Sequence, residues 1–138
     1  MHDESMLELE EITGDDVYKF EVIESKYLTL KEAKAWEYAE AISNMMRTYH
    51  PNRVDGWINK AECLCELHGA EKAVEALLLD EERFKESARY VFAIGRYYSL
   101  SNEVSLARDY VGRAIKMDPS LKTEFAEGSE FDVLWDSF

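Results

Sequence analysis

Arg89, Phe92 and Arg96 recur at i, i+3 and i+7, a spacing that sets two guanidinium groups on either side of one ring along a single helical stripe. The chemistry on offer there is recognition. Guanidinium forks take carboxylates, and the ring receives an apolar anchor, so the stripe suits an extended or helical peptide with an acidic residue beside an apolar one. The same residues admit an alternative, in which Phe92 packs between helices and the arginines pair with neighbouring carboxylates such as Glu62.

Other groups able to do chemistry are scattered. His2, His50 and His68 lie far apart, each beside a terminus or a helix end, and read as solvated or helix-capping side chains rather than ligands. Cys63 and Cys65 stand two apart on one helix, so they point in different directions and neither pair in a disulfide nor share a metal. A reduced, cytoplasmic protein is the corresponding expectation. Phosphate-binding glycine loops, nucleophile elbows and His-Glu-x-x-His helices are missing from the sequence, and Gly128-Ser129-Glu130 is only a break. Carboxylate pairs such as Asp15-Asp16 and Glu81-Glu82 carry little weight in so acidic a chain. The expectation is a protein that is not an enzyme and uses no metal or cofactor.

The charge distribution narrows the partners. The net charge of −13 comes from the ends, because residues 1–16 hold seven carboxylates and 123–138 hold five, with no Lys or Arg in either stretch. The body, 17–122, sets all 16 basic residues against 17 acidic ones. Such a surface repels phosphate backbones and anionic lipid, so nucleic acid and membranes are poor partners. Apolar runs are far shorter than the ~18 residues that span a bilayer, and the acidic start, Met-His-Asp-Glu-Ser, is unlike a secretory signal.

What positions the stripe is a period. Ala39, Ala73 and Ala107 stand 34 residues apart, and a fixed step of that length indicates stacked units. The third copy carries Val91, Ile94, Gly95, Tyr98, Ala107, Val111, Ala114 and Pro119. The second reads Trp57, Lys60, Ala61, Leu64, Ala73 and Leu77 in the same register but lacks the proline, and the first keeps mainly Ala39 and Pro51. In this frame the chain resembles the tetratricopeptide repeat, which implies an all-α solenoid of three antiparallel helix pairs with a carboxy-terminal capping helix. The small residue of one helix (Ala61, Gly95) then faces that of the next (Ala73, Ala107). Tyr27 departs from this pattern, placing a ring where a small residue belongs, so looser or shifted packing is expected there.

The expected organisation is a flexible acidic stretch over 1–14, with Leu7, Leu9 and Ile12 its only apolar residues, three repeats over 15–119 (about 20–53, 54–87 and 88–121), and an acidic, aromatic cap over 120–138. Helices are expected from Asp15 or Asp16 to Leu28, Lys31 to Tyr49, Asn52 to Leu67, Ala70 to Glu82, Glu86 to Leu100, Glu103 to Met117 and Ser120 to Ala126. Gly69 closes the third, and Ser101 or Asn102 caps the sixth. Phe131, Leu134, Trp135 and Phe138 recur at one-face spacing, which suits a cap over the last repeat. An alternative is that this tail docks on a partner or folds back onto the chain's own groove.

Repeat solenoids bind along a concave face lined by the first helix of each unit. That face is expected to hold Asp55, Ile58, Asn59, Glu62 and Cys65 in the second unit and Arg89, Phe92, Arg96 and Ser99 in the third. The resemblance therefore implies an adaptor that binds a peptide or helix of another protein. One branch of the family clamps the carboxy-terminal carboxylate of heat-shock chaperones. Asn59 and Arg89 stand at two clamp positions, but Glu24, Leu28 and Ala93 depart from the rest. Small acidic three-unit proteins also resemble the class II chaperones of bacterial type III secretion, which serve one dedicated client. A third resemblance, over about 17–136, is to bacterial repeat proteins with a Gly-Trp-Ile element (Gly56-Trp57-Ile58) and a final Leu-Trp (Leu134-Trp135), and it implies no activity. Self-association is left open by apolar surface on the irregular first unit.

Overall fold

In the computed structural model, residues 16–135 are described, and the expectations placed on 1–15, including His2, and on Phe138 fall outside them. Among the described residues there are nine α-helices and two single-turn 3-10 helices, and no strand. The α-helices are α1 (Phe20–Glu32), α2 (Trp36–Tyr49), α3 (Asp55–His68), α4 (Ala70–Leu79), α5 (Glu81–Phe84), α6 (Ala88–Leu100), α7 (Val104–Met117), α8 (Leu121–Glu127) and α9 (Asp132–Trp135). The 3-10 turns are Asp16–Tyr18 and Ser129–Phe131. No helix among the described residues is long and apolar enough to cross a membrane. The chain divides into two compact units after Leu67, inside the span expected for the second repeat.

In the first unit, α1 packs on α2. Ile23, Tyr27, Leu30, Ala39, Ile42, Met46 and Cys63 form its core, and Trp36 packs against them. The first helix begins later than expected and runs past Leu28, with Lys19 at its N-cap and no side-chain cap. The second begins at Trp36, not Lys31, because Lys34 takes a left-handed φ of 58°. The amide of Ala35 donates to the Leu30 carbonyl and that of Lys34 to the Lys31 carbonyl, the pair of bonds that ends a helix in a Schellman motif. Lysine gives no sequence warning of this, since glycine or asparagine usually fills the position.

Two steps of 34 further on, Asn102 has φ 63°, and the same two bonds recur from Glu103 to Tyr98 and from Asn102 to Ser99. At the intermediate position, 68, the feature is absent, and the positive φ falls on Gly69 instead. The turn at Asn102 also corrects the expected cap: Ser101 and Asn102 end α6, and Glu103 is the N-cap of α7 without a side-chain bond. Gly69 takes φ 104° at the N-cap of α4. The fourth helix stops at Leu79 instead of Glu82, with Asp80 at φ −116° breaking it before the short α5.

The second unit is built on α6, whose N-cap Ser87 accepts a bond from the Tyr90 amide through Oγ at 3.3 Å. Tyr98 meets Tyr110 with ring centroids 5.5 Å apart, and a Cβ built on Gly95 would lie 2.7 Å from Val111 Cγ2 and 3.0 Å from Val111 N. Rising numbers on α6 therefore meet falling numbers on α7, and the two helices run antiparallel at close approach. On its other side α6 packs on α4, where the Tyr90 hydroxyl donates to the Leu77 carbonyl. Ala39, Ala73 and Ala107, the residues that mark the period, are each 0% exposed.

Candidate functional site

The stripe on α6 is occupied. Phe92, read either as an exposed ring or as a ring packed between helices, is only 2% exposed, because the carboxy-terminal segment crosses it. The Phe131 ring packs 5.2 Å from Phe92, and Phe125 packs 5.2 Å from Phe131. Arg96 lies with its guanidinium carbon 5.4 Å from the Phe92 centroid. It reaches Glu124 at 3.1 Å through Nη2 and Glu130 at 3.5 Å through Nε. Ser99 Oγ donates to the Glu130 main-chain carbonyl at 2.6 Å. One ring, one guanidinium and one hydroxyl at i, i+4 and i+7 thus hold an aromatic anchor, two carboxylates and a main-chain carbonyl. Arg89, one turn earlier, is exposed.

The sequence places this geometry where it is. Gly128, at φ −80° and ψ 120°, ends α8, so the following turn folds Phe131 back to α6 rather than extending the helix. Phe131 and Leu134 are both 0% exposed, with Leu121 and Phe125 at 7% and 8%. Trp135 stacks 4.8 Å from Phe125 and is half exposed. Between this segment and α7, Val111, Ile115, Phe125 and Trp135 line an open groove of about 330 Å³.

The five candidates on α3 are used differently. Asp55 is buried and pairs with Arg53 at 3.3 Å. Ile58 and Cys65 are half-buried. Asn59 donates through Nδ2 to Met46 Sδ at 3.6 Å, and Glu62 is bound by Lys31 at 2.9 Å. The hydroxyl of Tyr27 donates to Glu62 Oε1 at 2.7 Å, with the Asn59 carbonyl at 3.1 Å and Cys63 Sγ at 3.7 Å. Tyr27 is therefore not a site of loose packing: its ring is 1% exposed and its hydroxyl ties α1 to α3. Burial, followed by the Glu62 carboxylate, holds that hydroxyl far above its ordinary value, so it stays protonated and donating.

Both cysteines are free thiols. Burial pushes Cys63 up to about 11 and also raises Cys65. Cys63 is 0% exposed whereas Cys65 is half-buried. Since the thiolate is the nucleophile, iodoacetamide at about pH 8 is expected to label Cys65 in the native protein and to leave Cys63 unmodified until the fold is denatured. Mass mapping of the labelled peptides checks this, and equal labelling of the two would contradict the buried contact with Tyr27. His50 caps α2, and its Nε2 lies 2.7 Å from the Tyr18 carbonyl; His68 ends α3 and is exposed. Among the described residues no group of three His, Cys, Asp or Glu side chains could hold a metal ion.

The groups brought together on α6 hold the chain's own carboxy-terminal segment through non-covalent contacts. No family model matches the chain, and no curated protein matches it.

Proposed function

We propose that the protein is an adaptor of the tetratricopeptide type, three stacked helix pairs that bind a segment of another protein, with no covalent chemistry. The observation that carries this reading is the grip of Phe92, Arg96 and Ser99 on a stretch of polypeptide through ring, guanidinium and hydroxyl at once. The Ser99 bond goes to main chain, so it serves any peptide laid along the stripe, while Arg96 and Phe92 select acid and ring. The recurrence of buried alanines at the 34-residue step, with matching Schellman endings 68 residues apart at Lys34 and Asn102, supports the repeat reading of the fold.

Affinity purification from the native host tests this. The tagged full chain should recover a stoichiometric partner that is lost with Arg89→Glu/Arg96→Glu and kept with Lys72→Glu, a change in an exposed ion pair. Recovery by both variants, or no partner with the wild type, would refute the adaptor reading. A single obligate client would identify the dedicated secretion-chaperone form of the same activity.

A further inference from the structure

The carboxy-terminal segment contains the dipeptide Glu-Phe twice, as Glu124-Phe125 and Glu130-Phe131, and both copies converge on Arg96 and Phe92. Both glutamates reach the one guanidinium, and both rings join the aromatic cluster that ends on Phe92. From this we infer that residues 124–131 are a resident occupant of the stripe. The partner is a polypeptide carrying the same element, a carboxylate followed directly by an aromatic ring, and it binds by displacing this occupant. The inference rests on the adaptor reading and adds to it the chemistry of the partner and the means by which the site is closed.

Three features make the occupant displaceable. It lies within a stretch made of a seven-residue helix, one 3-10 turn and a four-residue helix, lengths that do not persist without packing. Its two ion pairs are solvent-accessible, with the Glu124 side chain 52% exposed and those of Arg96 and Glu130 25% and 27%, where ion pairs are weak, and its one buried polar link is the Ser99 bond to the Glu130 carbonyl. It borders the open groove on α7 described above, and segments near a chain end open before the core does. Because the occupant is tethered beside its site, it competes at an effective concentration on the order of millimolar. A free peptide of the same sequence is then excluded until the resident is loosened.

The test uses the full chain and a fluorescently labelled synthetic peptide of residues 119–135. Anisotropy titrations compare the wild type, Glu130→Lys/Phe131→Ala, and that double variant with Arg96→Glu added. The double variant is expected to bind the peptide at least tenfold more tightly than the wild type, and the added Arg96→Glu to abolish the gain. Binding no tighter than wild type by a double variant that retains its α-helical circular dichroism would overturn the inference. Hydrogen exchange on the unmodified wild type needs no variant. Amides of 129–135 should exchange about a hundredfold faster than those of Val91–Gly95, and equal protection would show an integral part of the core instead of a displaceable occupant. The peptide result reads the stripe and its occupant, and host purification reads the adaptor role, so the two fail separately.

Discussion

Tyr27→Ala is expected to destabilise the first unit by about 3–5 kcal/mol, the range for truncating a buried aromatic side chain. The position is equivalent, at the 34-residue step, to Ala61 and Gly95, so the repeat pattern alone recommends this substitution. Packing argues the opposite. The ring is 1% exposed within the core of Ile23, Leu30, Met46 and Cys63, and its hydroxyl satisfies Glu62 and the Asn59 carbonyl. Tyr27→Phe isolates the hydroxyl and should cost about 0.5–1.5 kcal/mol, the net worth of one hydrogen bond, since Glu62 is partly exposed and keeps Lys31 at 2.9 Å. Urea unfolding of both variants measures the two parts; a stable Tyr27→Ala would mean that position 27 needs only a small residue, as positions 61 and 95 do.

The second large effect lies at the matching position of the second unit. Gly95→Val should destabilise by about 2–3 kcal/mol through overpacking, because the new Cβ meets Val111 N at 3.0 Å and Val111 Cγ2 at 2.7 Å. A side chain can rotate away, but the α7 backbone cannot without parting the helices. Gly112→Ala is the internal control. It lies on α7 with nothing within 4 Å of its Cβ position, and replacing an open helical glycine should stabilise by about 0.5–1 kcal/mol. Thermal unfolding of the two variants should therefore move in opposite directions, and a common direction would remove the close approach as the cause.

These two positions also show how far the residues alone carried the fold. The alanine period located the helices because small residues are needed wherever two backbones approach, and Gly95 reported such a contact correctly as a type of residue. Its neighbour across the contact is Val111 and Tyr110 rather than Ala107, a detail of helix rotation that spacing does not encode. Gly56 makes a similar approach to the backbone of Arg47, and nothing in the period marked it. The boundary between α1 and α2 was missed because a lysine occupies a left-handed position that usually announces itself as glycine.

On α6, Arg89, Phe92, Arg96 and Ser99 were legible as a stripe from their spacing. Their occupation by the chain's own tail was open, because a one-face pattern in Phe131, Leu134 and Trp135 states that the segment is amphipathic without stating which face it covers. The structure resolves it through Gly128, whose extended conformation turns the tail back. On α3, Glu62, read as lining a groove, takes the Tyr27 hydroxyl and Lys31. That interaction depends on the ring at position 27, which the repeat frame treated as an exception.

The central claim, that the Arg89–Ser99 stripe of α6 receives a segment of another protein, is tested most directly by photo-crosslinking in the native host. A benzophenone amino acid replaces Arg89 on α6 in one full-length chain and Asp109 on α7 in another; both positions are exposed. Position 89 should give one discrete adduct whose mapped peptide contains a carboxylate next to an aromatic residue, and position 109 should not give it. The same adduct from both positions, or none from position 89, would contradict the account.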